Sequence, residues 1–222
     1  MNTLILRQVG IAYPGRVIAE NLSLQLEPGI HQLRGRNGSG KSSLLRTLAG
    51  AQAGYVGNVS LNGIAERTQP VDYRRQLCFS GSEDLPLPWL TPAQFQHMAA
   101  QLFPDFDMAR WLKLLRDFAV EAMAEQPMSH LSLGSRHKFQ HALALASQTA
   151  LLLFDEPFNA LDQASLRVLE TEMLEAKRRG AIVLFTSHQA QIALPTDSEW
   201  EIGDSRLARL AKASDPLLIE PA

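Results

Sequence analysis

Apolar and polar residues follow two periods along this chain, and the switch between them divides it into thirds. Residues 4–9 alternate as a strand does, and residues 17–26 alternate again, with Leu22, Leu24 and Leu26 on one face. Pro28-Gly29 marks a turn, and residues 30–34 read as a short strand. A glycine-rich loop, residues 35–40, leads into a predicted helix over 41–49 that ends near Gly50. Residues 56–61 and 77–79 are further predicted strands. In the middle third the period lengthens: residues 92–102, 108–118 and 135–148 are predicted helices, and Thr91-Pro92 is a helix start with proline at the first helical position. Pro86, Pro88, Pro104 and Pro127 punctuate this region. Strand and helix then alternate again: residues 151–154 as a buried strand, 161–179 as a helix, 182–186 as a strand, then a short helix and strand pair. That alternation predicts an α/β fold with a mainly parallel sheet covered on both faces. The helical middle reads as an insertion into it. Residues 211–222 carry two prolines and no period, and read as a tail.

The 222 residues are enough for a sizeable core, and 45% hydrophobic with 20% charged residues is ordinary for a globular protein. A formal net charge of -2 gives no support to general nucleic-acid binding, so no nucleic-acid partner is expected. Cys78 is the only cysteine, which excludes an internal disulfide; in an apolar strand it reads as packing. The first residues lack the basic start and apolar middle of a signal peptide. The most apolar run, residues 142–154, is far short of the ~20 residues that cross a bilayer. Work at a membrane would therefore go through a partner.

Gly35-Arg36-Asn37-Gly38-Ser39-Gly40-Lys41-Ser42 fits the phosphate-loop pattern G-x-x-x-x-G-K-[ST] in full, between a predicted strand and a predicted helix. Glycines let the backbone curl so that successive N–H groups face phosphate oxygens, and the helix after them points its positive end at the same anion. Gly35, Arg36, Asn37, Gly38, Ser39, Gly40, Lys41, Ser42 and Ser43 are the nucleotide-binding candidates, with Lys41 reaching the β- and γ-phosphates and Ser42 ligating Mg²⁺. Leu151-Leu152-Leu153-Phe154 runs into Asp155-Glu156. A strand buried on both faces carries Asp155 to the sheet edge beside the loop, as a second Mg²⁺ candidate. Glu156 is then placed to polarise a water aimed at the γ-phosphate.

These motifs, with three more in order, resemble ABC-type ATPase domains from about residue 4 to 210. Leu131-Ser132-Leu133-Gly134-Ser135 stands where that family has its signature, Asn159-Ala160-Leu161-Asp162 where it has the D-loop, and Thr186-Ser187-His188 where it has the switch histidine. Tyr13 stands where the family stacks an aromatic ring on adenine. The resemblance implies a P-loop NTPase fold of ABC-ATPase type, with an antiparallel N-terminal β part and a helical subdomain. Residues 1–85 and 148–210 would be the core, 86–147 the helical subdomain and 211–222 the tail of a single domain. It implies MgATP hydrolysis with Glu156, His188 and Lys41 catalytic. Two copies, or this chain and a related one, would sandwich ATP head to tail. Ser132 and Gly134 would meet the γ-phosphate bound by the other subunit, and Asp162 would touch that subunit. Integral membrane subunits would complete a transporter, with this chain on the cytoplasmic face. The signature with Arg136 and Lys138, and the segment Phe103-Pro104-Asp105-Phe106-Asp107, most resemble ABC-2-type exporter ATPases.

Taken singly, Ser132 is also a helix cap and Tyr13 also a core tyrosine. Two other functions fit the same motifs: a soluble ABC ATPase on a non-transport partner, and a nucleotide-dependent regulatory subunit with weak hydrolysis. The family's glutamine after the strand at 77–79 is replaced by Ser82, with Glu83 beside it. A serine reaches less far toward metal and water, so Ser82→Gln is expected to raise steady-state ATP turnover. An unchanged or lower rate would count against the expectation that Ser82 slows hydrolysis. Leu133 and Ser135 also depart from the usual signature residues.

Overall fold

A computed structural model describes residues 1–52, 54–81, 87–187 and 194–210. In chain order the strands are β1 (Leu4–Tyr13), β2 (Arg16–Leu26), β3 (Gly29–Arg34), β4 (Val56–Leu61), β5 (Ile64–Ala65), β6 (Leu77–Ser80), β7 (Leu151–Phe154), β8 (Ile182–Thr186), β9 (Ser198–Gly203) and β10 (Arg206–Leu210). The helices are α1 (Lys41–Leu48), α2 (Pro70–Arg74), α3 (Pro92–Leu102), α4 (Met108–Asp117), α5 (Leu133–Ala146) and α6 (Gln163–Arg178).

Two sheets form. The first, β2-β1-β4-β5, is antiparallel throughout. The second has the order β10-β9-β3-β8-β7-β6; β9, β3, β8, β7 and β6 run parallel, and β10 adds an antiparallel edge. Alternation within the apolar strands divides the core in two. Leu151, Leu153, Ile182 and Leu184 face α1 and the antiparallel sheet. Leu152, Phe154, Val183 and Phe185 face the other way, onto Leu145 of α5 and Met173 of α6. A strand buried on both faces is apolar at every position, which is why β7 and β8 read as unbroken runs. Cys78 belongs to the second cluster, and burial pushes its thiol up to about 12, as befits a packing residue.

Capping chemistry sets the helix starts. Thr91 and Gln94 form a reciprocal capping box at α3, with Pro92 at the first position. Asp107 caps α4, Ser132 caps α5 and Asp162 caps α6. The last two caps shift predicted boundaries: α5 begins at Leu133 rather than 135, and α6 at Gln163 rather than 161. In α4, Phe118 is the cap residue, and Ala119 follows at φ 54°. α2 has no counterpart in the periodicity, because five residues are too few to show one. β1 runs four residues past its predicted end, through register shifts near Val9 and Ile11 that break the alternation. Among the described residues, no helix is long and apolar enough to cross a membrane.

Candidate functional site

β3, β7 and β8 lie side by side, and their C-terminal ends carry the chemistry. The phosphate loop leaves β3 with Gly35, Gly38 and Gly40 at φ 151°, 76° and 107°. A Cβ at Gly35 would lie 2.5 Å from both the Ile202 carbonyl and Ser39 Oγ; one at Gly40 would lie 2.4 Å from Ile18 Cγ2. Conformation and space both require glycine at these two positions. The hairpin between β1 and β2 reaches the same loop, with Arg16 donating to the Gly38 carbonyl at 2.8 Å.

Lys41, the first residue of α1, is buried, and its Nζ donates to the carbonyls of Gly35 at 2.9 Å and Arg36 at 3.3 Å. The same Nζ lies 3.8 Å from Glu156 Oε1. Asp155 is buried at the end of β7, and Thr186 at the end of β8 donates its hydroxyl to Asp155 Oδ1 at 2.7 Å. That hydroxyl accepts the Glu156 N–H at 2.8 Å. Thr186 thus sets both acids at once, a role the sequence left unassigned although a threonine closing the strand beside Asp155 was the available signal. Glu156 sits at φ 54°, a left-handed conformation that costs a non-glycine residue on the order of 1–3 kcal/mol. Asn159 closes the turn, its N–H bonded to the Glu156 carbonyl at 3.2 Å.

Tyr13 is 37% exposed, so it is no core tyrosine; its hydroxyl donates to Gln52 Oε1 at 2.9 Å and lies 3.3 Å from Ser43 Oγ. The loop residues and Tyr13 therefore share one region with Asp155 and Glu156. Ser132, Gly134 and Asp162 form a second group around the starts of α5 and α6. Ser132 Oγ accepts the Ser135 N–H at 3.2 Å and lies 2.9 Å from Ser135 Oγ. A Cβ at Gly134 would come 2.6 Å from the Ala160 carbonyl, so glycine lets α5 approach the 156–162 segment. Leu133 is 47% exposed and turns outward. Asp162 Oδ1 accepts the Ser165 N–H at 2.8 Å, and its Oδ2 pairs with Lys138 Nζ at 2.6 Å. Lys138 first, then the Ser165 bonds, hold the Asp162 carboxyl well below the usual carboxylate range. His188, Ser82 and Glu83 lie outside the described residues.

The family model for the ABC transporter matches residues 19–159. The "Cytochrome c biogenesis ATP-binding export protein CcmA" of Idiomarina loihiensis is 33% identical over 177 residues, 79% of this chain and 81% of that protein. The "ABC-type transporter ATP-binding protein EcsA" of Bacillus subtilis is 31% identical over 194 residues, 85% of this chain and 78% of that protein. A solved structure described as the ATP-binding subunit of an ABC transporter superposes with a TM-score of 0.84 at 26% identity, covering 93% of this chain and 88% of that one. A nucleotide-free ATP-binding cassette from an ABC transporter superposes at 0.75 and 16% identity, which speaks for the fold alone. With its phosphate loop after β3 and its acid pair after β7, at the same ends of parallel strands that both pair with β8, this chain belongs to the ABC transporter family as an ATP-binding subunit, and it is an ATPase.

Proposed function

We propose that the chain hydrolyses MgATP in a head-to-tail pair of ATPase subunits and so powers an exporter whose membrane-spanning part is a separate subunit. The observation that carries the reading is the convergence of Lys41, Asp155 and Glu156, with Lys41 Nζ 3.8 Å from the Glu156 carboxylate. The loop amides receive the phosphates, as a cradle in which Gly35 and Gly40 have no room for a Cβ suits. Lys41 exchanges its loop carbonyls for phosphate oxygens. Tyr13 presents its exposed ring to the adenine.

Ser42 and Asp155 would hold Mg²⁺, and a hydroxyl with a carboxylate oxygen is the hard donor set that ion takes. When bound, the metal neutralises charge on the phosphate oxygens. Glu156 orients the attacking water and accepts its proton, and His188 keeps that water in register. Ser132 and Gly134 close over the nucleotide of the opposite subunit, with Asp162 at the contact between the two. Residues 1–85 and 148–210 act as the catalytic core, 86–147 as the docking insertion and 211–222 as a tail.

An apolar groove of about 580 Å³ lies between α3 and β6, with Val71, Phe79, Phe95, Met98 and Leu102 along it. Met98 and Leu102 are 43% and 60% exposed. The reading seats a cytoplasmic helix of the membrane subunit there, which places the chain on the inner face of the cell membrane. The export named for the CcmA relatives supports the direction. Leu102→Asp together with Met98→Asp is expected to abolish co-purification with a detergent-extracted membrane protein, while the isolated chain keeps its ATP turnover. Undiminished capture, or recovery of ribosomes or nucleic acid in place of a membrane protein, would overturn the transport reading.

A further inference from the structure

Positions 134, 137, 138 and 141 of α5 fall on one stripe of the helix, and that stripe lies on the 157–162 segment. Gly134 abuts the Ala160 carbonyl. His137 Nδ1 is 3.1 Å from the Asn159 carbonyl, Lys138 Nζ 2.6 Å from Asp162 Oδ2, and His141 Nε2 3.0 Å from the Pro157 carbonyl. His141 is only 2% exposed, and its second nitrogen, Nδ1, is 2.9 Å from Ser80 Oγ at the end of β6. Its ring meets Phe154 of β7 edge-on, with centroids 5.6 Å apart.

The hydrogen-bond roles follow from the partners. A carbonyl only accepts, so Nε2 carries the hydrogen; Nδ1 then accepts from the Ser80 hydroxyl. Burial first, then the neighbouring His137, pushes the His141 pKa down to about 3. The ring stays neutral, and its two hydrogen bonds select one tautomer.

We infer that His141 is a positioning residue for ATP hydrolysis, holding the Pro157 carbonyl so that the turn presents Glu156 at a fixed angle. The inference rests on the reading of Glu156 as the group that activates water. Glu156 and Ala160 both have left-handed φ, 54° and 59°, and such backbone persists only where its surroundings fix it. The Glu156 N–H is anchored to Thr186 on one side. On the other side comes Pro157, whose ring fixes its own φ near about −65°. A grip on the Pro157 carbonyl therefore restrains the residue before it. Thr186 and His141 bracket the backbone of Glu156, and His141 is the one that sequence pattern places among ordinary helix positions.

The test uses the full-length chain with His141→Gln, His141→Asn and Ser80→Ala. A glutamine amide reaches the place of Nε2 and can still donate to the Pro157 carbonyl; an asparagine amide reaches only the place of Nδ1. His141→Asn is expected to lower kcat on the order of ten- to a hundredfold, the scale of a misplaced reacting group, with KM for MgATP within about twofold. His141→Gln should recover most of that loss, and Ser80→Ala should leave kcat within about threefold, since the bond to Pro157 survives. Equal kcat for His141→Asn and the unaltered chain, equal loss in both His141 variants, or a parallel loss of MgATP affinity would overturn the proposal. Should His141→Asn not fold, ¹⁵N shifts of the unaltered chain decide, since a ring carrying its hydrogen on Nδ1 cannot donate to Pro157. Glu156→Gln in the same assay separates the two readings. If it turns over normally, the assignment of Glu156 fails and His141 with it; if it is inert and His141→Asn is not, only the role of His141 falls.

Discussion

Replacing Glu156 with glutamine is expected to lower ATP turnover by roughly 10²–10⁴-fold, the usual contribution of a positioned general base. The amide has nearly the shape of the carboxylate, so the turn held by Thr186 and closed by Asn159 is kept. What disappears is the acceptor for the water proton. MgATP binding should persist, because the loop amides and Lys41 are untouched, and losing the 3.8 Å pairing with Glu156 leaves Lys41 freer to meet phosphate. kcat should therefore collapse while nucleotide affinity holds. With hydrolysis blocked and ATP present, a closed pair of subunits should accumulate and be visible by size-exclusion chromatography. Affinity capture of this variant with ATP should bring down its partners for identification. Turnover within a few-fold of the unaltered chain would show that another group takes the proton.

The largest expected effect on stability lies away from the nucleotide. Glu172 on α6 is buried beneath α4, where it pairs with Arg110 and lies 3.2 Å from Lys113 Nζ. Arg179 adds positive charge there: burial, then Arg110, lower its pKa. Glu172→Ala removes the carboxylate that pairs directly with Arg110 and leaves a mostly buried guanidinium with only the weaker field of Glu175, at a cost of roughly 3 kcal/mol. For a chain of this size the melting temperature should fall by roughly 6–12 °C, by calorimetry or circular dichroism. Arg110→Leu with Glu172→Leu should recover part of the loss, since apolar replacement of both partners removes the unpaired charge. A change below about 1 kcal/mol would place the pair among surface-like bridges that contribute little.

Both predictions concern residues whose surroundings came from different sources. The phosphate loop was legible as a string because its chemistry is local: the glycines, Lys41 and Ser42 act within one turn of chain. β7 and β8 were legible because strands covered on both faces are apolar throughout. The caps at Thr91 and Asp107 were equally local, and only the first was read, through Pro92. The helix starts taken from periodicity differ by two residues at Ser132 and Asp162, because a cap is a backbone bend that periodicity does not register; residue type alone already offers Ser132 as a cap.

Sequence alone determined that this chain carries a phosphate loop, an acid pair after an apolar strand, and the ordered motifs of an ABC-type ATPase. Tertiary structure decided how the acids are held. The Thr186 bonds to both of them join β7 to β8 across some thirty residues of chain. It also decided that α5 lies on the 157–162 segment through Gly134, His137, Lys138 and His141, and that β9 pairs with β3. Glu156 could not be read as left-handed, since glutamate has no preference for that conformation; in the fold its N–H is held by Thr186 of β8 and its carbonyl by Asn159. The physical division is one of range. Chemistry carried by neighbouring residues leaves a pattern in the string, whereas the direction in which a side chain is held depends on partners that only folding brings near.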